Sequence, residues 1–405
     1  MQPMQSYIII GGGLTGLTAA NALAQPGRKI TLLEQSEHLG GRAITHHDAG
    51  FSLNLGPHAL YRGGPAMRTF SEWRIPFTGH LPAQNKTHLV YQEKKYPLIA
   101  DAASLLTSPL LGIGEKLEAG NLFRLLSGAQ APNQAPDQSM RQWIDHHATS
   151  PKVRALAAAL TRLTTFVADH DHLSARAALQ QLALAAAHNV AYLDHGWQTL
   201  IDGLAARARS LGVEIRCAAP LNSLAFLDAD GIILAVPPAT VEKFTGVSFP
   251  NLRPVRVACL DLGLSALPDN AANFGLGIDR PLYYSVHSVV AKVAPEGSTL
   301  IQMAKYLAAD SDPETDRAEL EQFADLLAPG WRDRVTMSRF LPNMTVSHAM
   351  PTPEGRPDVD ALNKEGIAIA GEWVGHENML TDAAVSSALR AAAMVQNVSS
   401  AQDAA

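Results

Sequence analysis

Glycine recurs near the N terminus at the spacing Gly-x-Gly-x-x-Gly, in residues 11–16, which read GGGLTG. Glycines at this spacing let the chain turn tightly and bring its backbone close to phosphate oxygens, and the helix that follows points its N terminus at the anion. Glu34 stands near the distance of roughly 20 residues at which an acid binds the ribose hydroxyls of a dinucleotide. The pattern predicts a dinucleotide without a 2′-phosphate, and the alternative is a glycine turn that holds no ligand. The residues assigned to this site are Gly11, Gly13, Leu14, Thr15, Gly16, Glu34 and Gln35.

A strand, a helix and a second strand are needed to hold these residues in place. The apolar, β-branched run at residues 6–10 is typical of a buried parallel strand. Apolar residues recur at helical spacing over residues 14–24, and Pro26 and Gly27 end the pattern before a second apolar strand at residues 29–34. The segment therefore predicts one βαβ unit of an α/β domain.

A second glycine element follows at residues 39–43, which read LGGRA. This element resembles the second FAD-binding motif of the superfamily of flavin amine oxidases, protoporphyrinogen oxidases and phytoene desaturases. The resemblance implies that Gly40, Gly41 and Arg42 lie beside the pyrophosphate, a role that suits the forked donors of a guanidinium. A surface ion pair is the alternative for Arg42.

The C-terminal segment at residues 370–373, which reads AGEW, is similar to the third motif of the same superfamily. The resemblance implies that this segment holds the flavin, with Glu372 as a hydrogen-bond partner on the ribityl or phosphate side. The helix that begins near Thr381 would direct its positive end at the flavin N1–C2=O region. Glu372 is alternatively an ordinary acid at a helix N terminus. The other residues that the resemblance assigns to the cofactor are Gly371, Met379, Leu380 and, on a strand that contacts adenine, Leu221.

The element Gly56-Pro57-His58 is more similar to the Gly-Pro pair of phytoene desaturases than to the Gly-Gly pair of amine oxidases. The resemblance implies that Gly56, Pro57 and His58 lie close to the isoalloxazine ring. His58 is then a candidate for catalysis, and the alternative is a histidine that caps a helix or packs in the core.

Other candidates for catalysis lie on predicted strands. Tyr283 and His287 share one face of a strand and Tyr284 occupies the other, so either face could line a pocket or pack in the core. Amine oxidases commonly carry a lysine near flavin N5 on the strand that residues 255–262 resemble, and this stretch carries none. Lys305 on a neighbouring strand is the substitute candidate, and a lysine that snorkels to the surface is the alternative.

The Gly-Pro pair and the missing lysine favour a desaturase, which transfers a hydride from a saturated carbon of an apolar or amphiphilic small molecule to N5 of FAD. Oxidation of a C–N bond by an amine oxidase is the alternative. Another class is a non-catalytic binding protein on the same scaffold, as in the Rab GDP-dissociation inhibitors, and a further one is a nicotinamide-dependent dehydrogenase. The three flavin motifs together favour the FAD enzyme over both.

The expected fold is an α/β architecture of two domains with the active site between them. A GR2-type Rossmann domain binds FAD, and a substrate domain places helices on a mixed or antiparallel sheet. The FAD domain is assigned to residues 1–78, 196–242 and 352–398. The substrate domain is assigned to residues 79–195 and 243–351, with strands expected at residues 255–262, 282–290, 299–307 and 335–340.

Composition limits the partners of the 405-residue chain. A net charge of −6 provides no electrostatic footprint for a nucleic acid. No apolar run approaches the roughly 18 residues of a membrane-spanning helix, although a surface-bound helix remains open. Two cysteines, Cys217 and Cys259, and an N terminus without a basic region predict a reduced, cytoplasmic setting. The residues His170-Asp171-His172 lack a third ligand at metal-binding spacing and are interpreted as a solvated turn.

Overall fold

The structure, a computed structural model, describes residues 4–126, 137–309, 311–357 and 366–402. Its strands are β1 (Gln5–Ile10), β2 (Arg28–Leu33), β3 (Thr45–Asp48), β4 (Phe51–Asn54), β5 (Leu60–Tyr61), β6 (Gly79–His80), β7 (Thr87–Tyr91), β8 (Lys94–Pro97), β9 (Val190–Leu193), β10 (Glu214–Arg216), β11 (Gly231–Leu234), β12 (Val255–Leu264), β13 (Phe274–Gly277), β14 (Leu282–Val286), β15 (Thr299–Tyr306), β16 (Val335–Ser347) and β17 (Ile367–Ile369). Its α-helices are α1 (Leu14–Leu23), α2 (Pro65–Glu72), α3 (Ala102–Thr107), α4 (Ile113–Leu126), α5 (Met140–His147), α6 (Pro151–Thr165), α7 (Ala175–His188), α8 (Gln198–Ser210), α9 (Pro238–Thr245), α10 (Pro313–Leu327) and α11 (Leu380–Gln402). Within these residues, every helix is too short or too polar to cross a membrane.

A five-stranded parallel sheet carries the glycine turn. Its strand order is β10-β2-β1-β11-β17, and α1 connects β1 to β2. Ile9, Leu17 and Leu32 are fully buried where α1 packs on the sheet. The predicted βαβ unit and the α/β fold are confirmed. Strands from all three segments of the predicted FAD domain meet in this sheet, while the domain boundaries stay a prediction and residues 358–365 lie outside the described residues.

A seven-stranded mixed sheet has the order β16-β12-β15-β14-β13-β7-β8, in which only the β13–β7 pair is parallel among the described strands. Side chains alternate between its two faces. One face packs on α10 and includes Leu260, Tyr284 and Met303. The opposite face includes Cys259 and Tyr283 and lies against α6. We call the side chains Val257, Cys259, Tyr283, Ala304 and Tyr306 of that face the inner face.

Helices α4 to α7 form a layer with its own apolar core. Leu122, Ile144, Leu156 and Leu179 are buried in that core, which also takes in Leu276 of β13. The end of α6 brings Leu163 and Phe166 against the inner face. The inner face is therefore enclosed between a sheet and a helical layer.

Asp382 fastens the start of α11 to the start of α2. Its Oδ1 accepts a hydrogen bond of 2.9 Å from the backbone N–H of Ala66, and its Oδ2 has no partner among the described residues. The side chain is buried, and burial raises its pKa to about 6. The folded protein therefore binds a proton at this carboxyl between about pH 4 and 6 that the unfolded chain releases.

Replacement of Asp382 by Asn is expected to change how stability depends on pH. A raised carboxyl pKa adds stability at low pH that is lost as pH rises through about 6, because the folded state must then ionise a buried group. The free energy of unfolding of Asp382→Asn, taken relative to that of the unmodified protein, should rise by on the order of 2 kcal/mol from pH 4 to pH 7.5. Urea unfolding at the two pH values measures the free energies, and Asp269→Asn at an exposed position is the control. A difference that stays constant with pH would contradict this assignment.

Candidate active site

The turn between β1 and α1 has no room for side chains at two of its glycines. A Cβ on Gly16 would lie 1.8 Å from the carbonyl oxygen of Gly11, and Gly11 has a φ of +110°. Helix α1 follows Gly13 without a capping side chain and without an acid in its first turn. Beside Gly13, a Cβ would meet only the carbonyl oxygen of Gly40 within 4 Å, at 3.8 Å. The orphan amides of the first helical turn therefore border a space that suits an anion.

Glu34 ends the neighbouring strand beside this turn. Its Oε2 accepts a hydrogen bond of 2.6 Å from the N–H of Gly12, and its Oε1 accepts one of 2.8 Å from the N–H of Ser36. Each carboxylate oxygen can accept a second bond, so Glu34 is held in place and still able to accept from a ribose hydroxyl. Gln35 beside it is exposed.

The Gly40-Gly41-Arg42 element lies directly against the glycine turn. The N–H of Gly40 donates a bond of 3.0 Å to the carbonyl of Gly12, and Gly40 and Gly41 have φ values of +130° and +55°. One arm of the Arg42 guanidinium lies 2.5 Å from Oε2 of Glu372, and another donates a bond of 2.7 Å to the carbonyl of Val346. The elements at residues 11–16, 40–42 and 371–372 are therefore in contact.

Glu372 is the centre of this contact. Besides Arg42, its carboxylate accepts bonds from Nδ1 of His348 at 2.8 Å and from the backbone N–H of His348 at 3.1 Å. Burial alone would raise the pKa of Glu372, but the charge of Arg42 and the His348 bond outweigh burial and hold the pKa well below its usual range. Because the Glu372 side chain is only 6% exposed, the pair is not the surface ion pair considered for Arg42.

The loop between β17 and α11 is organised by Arg356, a residue that the sequence did not single out. Its buried guanidinium donates hydrogen bonds to four backbone carbonyls, those of Glu372, Gly375, Glu377 and Asn378. In the sequence it stands between Gly355 and Pro357 and belongs to no motif, so no local signal could have revealed it. Of the residues expected to follow in this loop, Met379 is buried beside the helical core and Leu380 begins α11.

Leu221 and Trp373 both lie in an apolar cluster. Leu221 packs against the apolar cluster of Ile10 and Leu234, at the carboxyl ends of the parallel strands. Trp373 is buried in the same cluster, and its ring lies 4.9 Å from that of Phe249.

The turn at Gly56, Pro57 and His58 lies on the inner face of the mixed sheet. A Cβ on Gly56 would lie 2.6 Å from Sγ of Cys259, so only glycine allows this approach. Nδ1 of His58 lies 3.0 Å from the carbonyl oxygen of Gly56, and its ring lies 5.0 Å from that of Trp197. Burial lowers the pKa of His58, which leaves the ring neutral at neutral pH.

A cluster of polar aromatic side chains lies on the same side. The hydroxyl of Tyr283 is 3.2 Å from that of Tyr192 and 3.3 Å from Nε2 of His287, and the rings of Tyr192 and His287 stack at 3.8 Å. Burial, with a smaller effect of His58, lowers the pKa of His287 to about 3. Tyr284 points to α10, so the face of Tyr283 is the inner one. The sequence missed Tyr192, since its strand is far from β14 in the chain.

Lys305 faces away from this cluster. Its Nζ lies 2.7 Å from Asp316 and 3.1 Å from Glu319, both on α10. Alternation along β15 puts Lys305 on the opposite face from Ala304 and Tyr306. The side chain is 13% exposed, so it is neither a group beside His58 nor a snorkelling surface lysine, and its expected place in catalysis has to be corrected.

The charged groups that act on His58 are Arg42 and Arg339, of which the sequence did not single out Arg339. Oδ2 of the buried Asp261 is 2.5 Å from the Arg339 guanidinium, which also donates to the carbonyl of Asn54. Nε2 of Gln302 donates to Asp261 at 3.2 Å and lies 3.4 Å from the carbonyl oxygen of Gly56. The pair on β12 and β16 therefore supports the turn at residues 56–58.

His170 also differs from expectation. It is buried, not part of a solvated turn, whereas His172 is exposed and bound to Asp169 at 2.9 Å. Among the described residues no group of three metal-ligating side chains is close enough to hold a metal ion.

Known proteins share features with the chain. A family model described as flavin containing amine oxidoreductase matches residues 14–247. The L-amino-acid oxidase of Naja atra is 49% identical over 55 residues, and the 4,4′-diaponeurosporene oxygenase of Staphylococcus aureus (strain USA300) is 47% identical over 53 residues. Each match covers 13% of this chain and 11% of the relative, so the chain matches about a tenth of the length of these relatives.

The fold is also found in a solved structure. An oxidoreductase from Methanosarcina mazei superposes with a TM-score of 0.76, over 95% of this chain and 99% of that one, at 16% identity. At this identity the likeness establishes the architecture alone. The family model covers more than half of the residues, and the glycine turn, Glu34 and the Gly40–Gly41 element fit the cofactor of that family. The chain therefore belongs to the flavin containing amine oxidoreductases, a family of oxidoreductases whose cofactor is FAD.

Proposed function

We propose that the chain is a dehydrogenase that uses FAD to desaturate a C–C bond of an apolar or amphiphilic small molecule. The residues that would hold the pyrophosphate are the amides at the start of α1, Gly40 and Gly41, and Glu34 would accept from the ribose. The Arg42–Glu372 pair would hold the middle of the cofactor. The observation that carries the proposal is the position of the turn at Gly56–His58 between these groups and the inner face of the mixed sheet.

The inner face supports a substrate with much apolar surface. Val257, Cys259 and Ala304 are apolar, and partly buried residues from α6 and β16 complete the wall. These partly buried residues are Leu163, Phe166, Leu341, Met344 and Val346. Such walls exclude water from the reacting carbon and take no part in the chemistry.

When bound, FAD supplies the hydride acceptor at N5. Desaturation also releases a proton from the neighbouring carbon as the double bond forms. The Tyr283 hydroxyl can take up that proton while it passes its own proton to Nε2 of His287, a ring that burial leaves unprotonated and weakly basic by lowering its pKa to about 3. The Tyr283 hydroxyl at 3.3 Å holds this nitrogen in position, and Tyr192 stacks on the ring.

The choice of a C–C over a C–N bond rests on the side chains of the inner face. On the described strands β12, β14, β15 and β16, Lys305 is the sole lysine, and it is paired with Asp316 and Glu319 on the other side. The inner face therefore has no amine for the position that amine oxidases commonly fill with lysine. The buried Asp261 forms an ion pair with Arg339, so its carboxylate is not free to bind the ammonium group of a substrate.

Glu372→Gln is expected to weaken FAD binding at least about tenfold, or about 1.4 kcal/mol. The substitution removes the carboxylate that orients Arg42 and leaves a guanidinium half-buried without its counter-charge. Quenching of FAD fluorescence on titration with the apoprotein measures the dissociation constant. Glu37→Gln is the control, because Glu37 is exposed and lies in the sequence just before the element Gly40-Gly41-Arg42.

Two results would contradict the assignment of this site. Unchanged affinity in Glu372→Gln would remove the pair from the cofactor site. A purified protein that is colourless, releases no FAD on denaturation and takes up none on titration would instead indicate a non-catalytic protein on this scaffold.

Tyr283→Phe is expected to slow the reduction of the flavin about 100-fold without a change in FAD affinity, because the phenol relays the proton to His287. Anaerobic bleaching of the flavin absorbance with a panel of terpenoids, amines and amino-acid derivatives measures the rate and identifies the donor class. Tyr284→Phe is the matched control: it removes a phenol hydroxyl from the opposite face of the sheet and should leave the rate unchanged. Equal effects of the two substitutions, or bleaching by amines alone, would overturn the proposal.

A further inference from the structure

Three buried polar atoms at one end of the inner face have no hydrogen-bond partner among the described residues. They are Nε of Arg162, Nε2 of His170 and the hydroxyl of Tyr306. Arg162 lies in the last turn of α6, His170 follows in the next loop, and Tyr306 ends β15. Buried polar groups normally find partners, so three orphans at one place indicate a ligand.

Arg162 interacts electrostatically with each of the other two groups. Burial, followed by the charges of Arg162 and Arg141, lowers the pKa of His170 to about 3. Burial lowers the pKa of Arg162, and Tyr306 is the nearby group with the largest opposing effect. Burial also raises the pKa of Tyr306, so at neutral pH it is a phenol that can donate a hydrogen bond. The site therefore offers a guanidinium, a phenol and a neutral imidazole.

Arg162 is the unusual member because no carboxylate within the described residues forms an ion pair with it. One of its nitrogens donates to the carbonyls of Gly277 and Ile278, at 3.4 and 3.0 Å. Those bonds fix the side chain but supply no counter-charge, and among the nearby charged groups Arg141 opposes the charge of Arg162 while Asp279 compensates it to a smaller extent. A largely buried charge without a counter-ion is costly, and Nε–H is free to form one half of a forked contact with a carboxylate.

The site adjoins the inner face directly. Tyr306 belongs to the same apolar cluster as Tyr283, and the ring of Phe166 lies 6.0 Å from its own. Ala304, two residues before Tyr306 on β15, faces the same way. A molecule whose apolar part lies beside the inner face would have its end next to Tyr306 and Arg162.

We infer that Arg162 and Tyr306, beside His170, form an anion subsite that takes the carboxylate of an otherwise apolar substrate. This inference rests on the proposed function, since it uses the inner face as the substrate wall. Arg162 provides the charge, and Tyr306 donates to one carboxylate oxygen. His170 borders the subsite beside Arg162, but its neutral ring uses its N–H toward the backbone of Val167, so Nε2 does not donate to the anion. The substrate class is then an amphiphilic carboxylic acid.

The test uses the holoenzyme and a matched pair of probes, 4-phenylbutanoate and its amide, with calorimetry as the readout. The carboxylate is expected to bind at least about tenfold more tightly than the amide. Arg162→Met should abolish that preference, Arg162→Lys should retain part of it, and Tyr306→Phe should weaken carboxylate binding several-fold. Arg154→Met, at a partly exposed position of the same helix, should leave the preference for the carboxylate unchanged.

Thermal unfolding without ligand provides a second readout that does not depend on the probes. A buried charge without an ion-pair partner destabilises the fold, so Arg162→Met should keep or raise the melting temperature, whereas a purely structural arginine would lower it on loss of its bonds to residues 277 and 278. Equal binding of carboxylate and amide, or a melting temperature that falls in Arg162→Met, would overturn the subsite.

Acetate and FAD uptake separate the remaining outcomes. Acetate that binds as tightly as 4-phenylbutanoate would indicate a site for free anions and would refute the assignment to a substrate. A protein that takes up no FAD but keeps the preference for the carboxylate would refute the proposed function and leave the anion site standing.

Discussion

The ion pair between Arg42 and Glu372 determines how the rest of the site is arranged. Glu372 is buried, and a buried carboxylate is tolerated only when charge and hydrogen bonds compensate it. The compensation comes from Arg42 in the second glycine element and from His348 in the segment that follows β16. Since Arg42 also binds the carbonyl of Val346, the pair joins the segments that follow β2 and β17 of the parallel sheet to β16 of the mixed sheet.

The sequence predicted what depends on neighbours along the chain. The turn between β1 and α1 requires glycine at positions 11 and 16 for local steric reasons, and Glu34 follows from the length of the βαβ unit. Residues whose role comes from tertiary contacts were missed. Arg356 acts on carbonyls of a loop about 20 residues away, and Tyr192 meets Tyr283 from a strand 91 residues distant. Neither has a local pattern that would reveal it.

Two predictions failed because distant segments of the chain decide which side chains are buried and which face of a strand they cover. Lys305 was expected near the chemistry, and the register of β15 against β12 puts it on the side of α10 with Asp316. His170 was expected in solvent because its neighbours are polar, and packing of the loop after α6 buried it. In each case the charge and hydropathy of the neighbouring residues did not reveal which side of the segment is buried, because distant segments cover that side.

The charged side chains near the glycine motifs are paired, whereas the polar side chains of the inner face are neutral. Beside the glycine turn, the charged groups Arg42 and Glu372 are paired, and beneath the turn at residue 56, Asp261 is paired with Arg339. Around Tyr283 of the inner face, burial lowers the pKa of His287 and so keeps it neutral, and it raises the already high pKa of Tyr283 and of Tyr192. Arg162 departs from both arrangements, since it is a charge beside an apolar wall that forms no ion pair within the described part of the chain. A fold shared by many enzymes does not explain such a group, so the selection of the substrate has to be sought in the side chains of this wall.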